Sequence, residues 1–251
     1  NYASTASMAL SGTFETVLGG VGEAPGMGSE QGDARSGAWV QYTGTGGDMG
    51  STRMNTSSGV AGAGWALNDH VVLGAAIADD STTTTLAPAR VTGQPLGVFV
   101  YAIDHTGDWR LAASAGGGSL EQTSTRTLTT LGLVGQAHST GSFAGVAARA
   151  DYHWNWVNHV YLSPYLDASY LTSHYGSAQE SGAGPLDIHY GGLSQQLTRW
   201  SVGVRLGMVV EEAHSTLSPW LQVGEIGYSG DRNPIEMQSI GGQSFAVAGS
   251  A

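Results

Sequence analysis

Two different spacings of apolar residues divide this chain. Near the start, Met8, Leu10, Phe14, Val17 and Leu18 recur at helical spacing, and the pair Gly19-Gly20 follows as a stop signal. The spacing predicts a helix over roughly residues 3–18. The stretch after it, "VGEAPGMGSEQGDARSG", has no period and reads as a flexible linker. Beyond the linker the period becomes two. In "SFAGVAARADYHW" the even positions are Ala144, Val146, Ala148, Ala150 and Tyr152, and the odd ones include Gly145, Arg149, Asp151 and His153. In "VYLSPYLDASYLT", Val160, Leu162, Pro164, Leu166, Ala168 and Tyr170 alternate with Tyr161, Ser163, Tyr165, Asp167 and Ser169. In "WSVGVRLGMVV", Trp200, Val202, Val204, Leu206, Met208 and Val210 alternate with Ser201, Gly203, Arg205 and Gly207. Each run has one apolar face and one face of polar residues and glycine.

The length of the runs and the connections between them point to a membrane barrel. A tilted membrane strand needs about 9–11 residues, and each run reaches that length. Arg149, Asp167 and Arg205 stand in mid-strand, where the packed core of a soluble sandwich rejects charge. Short connections fall at 68–70, 104–108, 153–159 and 211–215. Long ones are expected at about 44–58, 79–93, 117–141, 173–198 and 229–243. Short and long alternate, as short periplasmic turns and long external loops do in outer-membrane barrels. Aromatic residues crowd one short turn: Tyr152, Trp154, Trp156 and Tyr161. They read as a membrane girdle, because these rings are apolar on one side and polar at the tip. Trp39, Trp65 and Trp109 also fall near strand ends. The fold class expected is therefore all-β: an antiparallel transmembrane β-barrel with an N-terminal α-helix in the pore. Residues 1–30 form the helix and linker, and 31–251 the barrel.

Composition narrows the function. The chain has 251 residues, 39 glycines, no cysteine, 12% charged residues and a net charge of -11. All nine basic residues are arginine. That balance excludes a nucleic-acid surface, which needs a basic stripe. Without cysteine there is no disulfide framework and no thiolate metal site. No apolar run is long enough for a transmembrane helix. Nucleophile-elbow, zincin, phosphate-loop and calcium-loop patterns are lacking, so no cofactor and no metal are expected. His70, His105 and His159 at short turns read as solvated turn residues.

The barrel-facing residues carry the functional reading. Arg149, Asp151, Asp167, Gly203, Arg205 and Gly207 are expected to line the pore, and Met8, Leu10, Phe14 and Leu18 to form the pore-helix contacts. Opposite charges in a confined lumen hold a helix or polypeptide by charge-assisted hydrogen bonds, and Gly145, Gly203 and Gly207 leave room for it.

A helix, a linker and a barrel of this size resemble the translocator domain of bacterial autotransporters, the type V secretion proteins of Gram-negative bacteria. The matching stretches are "SGAWVQYTG" for the first strand, "VYLSPYLDASYL" for a middle one, and "TRWSVGVRLG" with "LSPWLQVGEIGYSG" for a late pair. The resemblance implies a barrel of about 12 strands with a helix in the pore. It also implies a secreted passenger ahead of Asn1, export driven by passenger folding rather than ATP, and outer-membrane location. The partners implied are membrane lipid and lipopolysaccharide, the passenger itself and the barrel assembly machinery. The barrel would not be an enzyme, apart from self-cleavage of the passenger at an asparagine such as Asn1. The acids for such a cut cannot be assigned by motif, and Asp151, Asp167 and Glu225 are pore-facing candidates. Nine strands are countable, with a tenth begun at "QSFAVAGSA". Family barrels end on a strand with a terminal aromatic, which Ala251 does not supply. Residues beyond 251, another source of strands, or a barrel of ten strands would each close the sheet.

Two alternatives stay open at this point. Asp79, Asp80, Asp187 and His189 are expected on long external loops, and an acidic pair with an Asp-x-His resembles the omptin proteases. In that reading a carboxylate–histidine pair activates water. The other alternative is an adhesion or binding barrel that uses the same loops as a contact surface.

Overall fold

The computed structural model describes residues 10, 13–14, 16–18, 36–49, 52–157, 160–208, 210–212, 215–217, 219–231 and 235–248. The alternating segments form strands: β1 (Gly37–Met49), β2 (Thr52–Ala66), β3 (Val71–Leu86), β4 (Ala89–Thr106), β5 (Trp109–Leu128), β6 (Leu133–Tyr152) and β7 (Trp154–Val157). They continue as β8 (Val160–Tyr175), β9 (Ala178–Gln179), β10 (Ile188–Tyr190), β11 (Leu193–Met208), β12 (Val210–Glu212) and β13 (Ser215–Leu217). The last three are β14 (Trp220–Gly230), β15 (Ile235–Ile240) and β16 (Gln243–Ala248). The main sheet is antiparallel in the order β1-β2-β3-β4-β5-β6-β8-β11-β14, with the short β7 also on β8. It curls into a half-barrel. Among the described residues, β1 and β14 are its edges.

A second, small sheet of order β16-β15-β10-β9 continues the same wall. The pair Tyr175↔Leu193 of β8 and β11 is followed in unchanged register by Ala178↔Tyr190 of β9 and β10. Only Gly176-Ser177 and Gly191-Gly192 interrupt it. One residue slips between Leu197↔Gly230 and Ile188↔Ile240, a bulge between the β11–β14 and β10–β15 pairings. Thus β9, β10 and β15 are the upper ends of β8, β11 and β14. The tenth strand read at "QSFAVAGSA" is β16, which pairs with β15.

The expected long loops are corrected by this geometry. β1 and β2 pair up to Met49↔Thr52, β3 and β4 up to Leu86↔Ala89, and β5 and β6 up to Leu128↔Leu133. What looked like loops are long hairpins. The apolar alternation fades there although Thr82 and Thr84 are buried on one face, because threonine stands on both faces, and Thr82, Thr83, Thr84 and Thr85 keep the ladder paired.

The two faces differ as a barrel requires. Outward stand Leu73, Ile77, Val98, Val100, Val146, Leu166, Val202 and Val204, all exposed. Inward, aromatic rings lie across glycines of neighbouring strands. A Cβ on Gly74 would collide with Tyr101, one on Gly116 with Phe99, and one on Gly207 with Tyr161. Each of these rings needs an open strand surface beside it, which a glycine leaves.

At the upper rim, Arg126 of β5 reaches across Gly135 of β6 to Glu180, just beyond β9. Its Nε donates to Glu180 Oε1 at 3.1 Å, and its Nη2 to the Leu186 carbonyl at 2.8 Å. The backbone N–H of Ile188 also donates to Glu180, at 3.0 Å. Hydrogen bonding to Glu180 raises the Arg126 guanidinium further above its ordinary value. A Cβ on Gly135 would enter the space of the Glu180 carboxyl. Gly135→Ala is therefore expected to cost about 1–3 kcal/mol, the usual range for overpacking. It should expose residues 178–190 to added protease on intact vesicles. Unchanged cleavage would contradict this account of the rim.

Candidate functional site: the helix and the inner wall

The described part of the N-terminal helix lies against the inner face of the sheet. Leu10, Phe14, Val17 and Leu18 are 0%, 1%, 0% and 2% exposed. Phe14 meets Phe99 edge-on at 4.9 Å between ring centres, and Phe99 in turn leans on Phe143 at 6.4 Å. Gly145 makes room for the Phe14 ring, whose Cζ would lie 2.8 Å from a Cβ at that position. Met8, the first of the expected helix contacts, lies outside the described residues.

Two polar contacts fix the helix along the wall. Thr13 Oγ1 donates to Asp80 Oδ2 at 2.7 Å, and both residues are buried. Further along the described helix residues, Arg110 Nη2 donates to the Leu18 carbonyl at 2.6 Å.

Arg110 belongs to a network that joins five strands. It shares Asp151 with Arg149: Arg110 Nη1 lies 3.0 Å from Asp151 Oδ2, and Arg149 Nη2 lies 2.7 Å from Asp151 Oδ1. Arg149 stacks on Tyr165 at 4.6 Å. Gln222 Nε2 donates to the Tyr165 hydroxyl at 2.8 Å and its Oε1 accepts from Arg205 Nη2 at 3.1 Å. Arg205 lies over Trp220 at 4.8 Å. One level away, Asp167 accepts from Arg199 at 2.8 Å and from Ser201 at 2.6 Å.

Arg149, Asp151, Asp167, Gly203, Arg205 and Gly207 all share this inner face by strand parity. The sequence reading did not single out Arg110, Thr13, Arg199, Tyr165 or Gln222. Parity alone could have found Arg110, one residue after Trp109 at the start of β5. The partnerships across β5, β6, β8, β11 and β14 need the register.

Other placements differ from expectation. Asp79 and Asp80 are not in a loop but adjacent in β3, so their side chains point to opposite faces: Asp79 is exposed and Asp80 buried against Thr13. Asp187 accepts from the Ala183 N–H at 2.7 Å and closes the turn after β9, while His189 stands exposed in β10. Tyr161 is not a girdle residue. It is 7% exposed, faces inward over Gly207 and lies 4.6 Å from His153. Trp39 is also buried, donating to the Tyr101 hydroxyl at 3.1 Å. Glu225 pairs with Val202 and shares the outer face with Leu221 and Val223, so it does not face the pore. Trp109 and Trp154 are 51% and 58% exposed at the short-turn end. Tyr152 touches Trp109 there and hydrogen-bonds Asp108 at 3.2 Å. The Trp156 side chain and His159 lie outside the described residues. Among the described residues no helix is long and apolar enough to cross a membrane, which says nothing of crossing by strands. No three metal-ligating side chains come together among them either.

Comparison with known proteins agrees with this architecture. A family model described as Autotransporter beta-domain matches residues 36–251. The fold is similar to a solved structure, the translocator domain of autotransporter NalP from Neisseria meningitidis, with a TM-score of 0.69 and 14% identity. That match covers 98% of this chain and 91% of the other. It is also similar to the beta domain of the Bordetella autotransporter BrkA, with a TM-score of 0.64, 14% identity and coverage of 85% and 93%. No curated protein sequence matches.

Proposed function

Since the chain belongs to the autotransporter β-domain family, we propose that it is an outer-membrane translocator that anchors and exports its own passenger. The observation that carries this reading is the helix held against the inner wall by Phe14, by Thr13 on Asp80 and by Arg110 on the Leu18 carbonyl. A helix with that many buried contacts on the inside of a curled sheet is a seated segment of chain. The passenger is placed ahead of it, so the helix is the last part of the exported chain to remain in the bore. Residues 1–30 act as helix and linker and 31–251 as the barrel wall. The girdle of Tyr152, Trp154 and Trp109 sits at the periplasmic interface, with lipid and lipopolysaccharide around the outer face. The barrel assembly machinery inserts it. The wall performs no chemistry on other molecules, and passenger self-cleavage is left to the bore acids Asp80, Asp151 and Asp167.

A reporter domain joined ahead of residue 1 tests the proposal. It is expected to become sensitive to protease added to intact cells, and to stay protected when the barrel is replaced by a soluble domain. A reporter retained in the periplasm behind an inserted barrel would contradict export. Thr13→Val is expected to weaken seating of the helix by about 1–3 kcal/mol, the cost of leaving the buried Asp80 oxygen without its donor. Faster hydrogen exchange at residues 13–18 checks it, and an unchanged rate would remove the Asp80 contact from the account.

A further inference from the structure

We infer that a niche in the inner wall, at the level where the ladder between β8 and β11 is interrupted, binds a primary ammonium group on an unbranched alkyl stem.

The interruption makes the niche. Tyr175 and Ala178 both face inward although they lie three positions apart, and so do Tyr190 and Leu193. A continuous strand would put such residues on opposite faces. Each strand therefore carries an extra residue at the same level, one at Gly176-Ser177 and one at Gly191-Gly192. The glycines bond outwards, to the flanking strands. The Gly176 N–H donates to the Thr140 carbonyl at 2.8 Å, and the Ser139 hydroxyl donates to the Gly176 carbonyl at 3.0 Å. On the other side the Gly191 N–H donates to the Met237 carbonyl at 2.8 Å. A Cβ on Gly191 would lie 2.8 Å from that same oxygen, so the close approach needs glycine. What is left between the two strands is a space of about 60 Å³. A water molecule needs roughly 10–15 Å³, so the niche takes a larger group.

Its chemistry is rich in acceptors. Tyr175 is 6% exposed, and among the described residues its hydroxyl has no hydrogen-bond partner. Buried hydroxyls are normally paired, and this one belongs to the wall of an open space. Tyr190, Gln122 and the carboxylate of Glu236 on β15 share that wall. Glu236 accepts from Gln238 Nε2 at 3.0 Å through Oε2, and a carboxylate has sites for several donors.

An ammonium has three donors and no acceptor. It matches a carboxylate, a phenol oxygen and an amide oxygen held around one space, and tyrosine rings attract a cation as well. Ala137, Ala178 and Leu193 complete the walls and suit the methylenes of a stem. These 251 residues contain no lysine. The group is therefore a lysine of a polypeptide passing through the bore, which rests on the export reading, or a free alkylamine.

The probe is n-butylammonium chloride, added to the full chain refolded in micelles with 3-fluorotyrosine at its ten tyrosines. The Tyr175 fluorine resonance is the one lost in Tyr175→Phe. It is expected to move with n-butylammonium and to saturate, half-complete on the order of 1 mM, an ordinary affinity for so small a ligand. n-Butanol, with the same stem and no charge, should leave it in place. Glu236→Gln is expected to weaken binding about tenfold or more, since it removes the charge that the ammonium meets. Ala137→Leu, which keeps every polar group and fills the space, should abolish binding. A Tyr175 resonance that ignores n-butylammonium, or that n-butanol moves equally, overturns the niche as an ammonium site. A shift that survives both wall variants overturns it too.

A capped Gly-Ser-Lys-Ser-Gly peptide tells the two sources apart. It should saturate at lower concentration than n-butylammonium if a polypeptide is the ligand, and at higher concentration if a free amine is. None of these results depends on export. Failure of the niche would leave the translocator reading standing, and failure of reporter export would leave n-butylammonium binding standing.

Discussion

Phe14→Gln converts a barrel with a seated helix into one that conducts freely. The ring is 1% exposed and contacts Phe99 edge-on at 4.9 Å, in space that Gly145 leaves open. Removing a buried phenylalanine side chain costs about 3–5 kcal/mol. The amide also loses its water, a further unfavourable contribution unless it finds partners. The helix has little stability of its own to set against this, since isolated helices shorter than about 12–15 residues are marginal in water. A loss of ~3 kcal/mol shifts the seated-to-released ratio by roughly 100-fold. Single-channel recording is expected to show brief openings for the parent and long ones for the variant. Phe14→Leu, which keeps most of the apolar contact, should resemble the parent. Identical recordings for parent and Phe14→Gln would mean that the helix does not close the bore.

Asp151→Ala is expected to be the most destabilising change in the wall. Its carboxylate is the shared partner of Arg110 and Arg149, whose side chains are 16% and 7% exposed. Breaking a buried ion pair from one side costs about 3–5 kcal/mol, because the remaining charge is left without compensation. Here two guanidinia are left, on β5 and β6, and Arg110 also holds the helix at Leu18. The folded barrel should unfold at lower temperature or urea, read as loss of the fast-migrating folded band on electrophoresis without boiling. Adding Arg110→Met is expected to recover part of the loss, since it removes one of the two guanidinia that lose Asp151. Helix seating would not recover with it. A wild-type melting curve for Asp151→Ala would show that the network contributes nothing to the wall.

How much of this was legible in the sequence depends on which physical signal each residue carried. The period-two runs around Arg149, Asp167 and Arg205 were enough to place those residues on one face, because a strand fixes parity. The same logic placed Leu10, Phe14 and Leu18 on one side of a helix. The long hairpins were not legible. Their threonines and glycines pair without alternating in polarity, so Asp79 and Asp80 looked like loop residues when they are neighbours in β3. Tyr161 and Glu225 were misread although parity was right: Tyr161 alternates with the inner residues Ser163 and Asp167, and Glu225 with the outer residues Leu221 and Val223, but an aromatic beside a turn looked like a girdle residue and an acid looked like a pore residue. The Arg110–Leu18 and Thr13–Asp80 contacts join residues 92 and 67 positions apart. No local pattern reports such contacts, and they follow from the curl of the sheet.

The central claim is that the described helix residues, among them Leu10, Thr13, Phe14 and Leu18, sit inside the barrel, with Thr13 against β3. Because the chain has no cysteine, Thr13→Cys with Asp80→Cys places the only two thiols in the molecule. A short bifunctional maleimide applied to cells expressing the full chain should join them, and the product should migrate as a cross-linked monomer after denaturation. The reaction should fail when Phe14→Gln is added. No cross-link in the inserted barrel, while a control pair on β5 and β6 at Ala115 and Val146 reacts, would place the helix elsewhere and contradict the account.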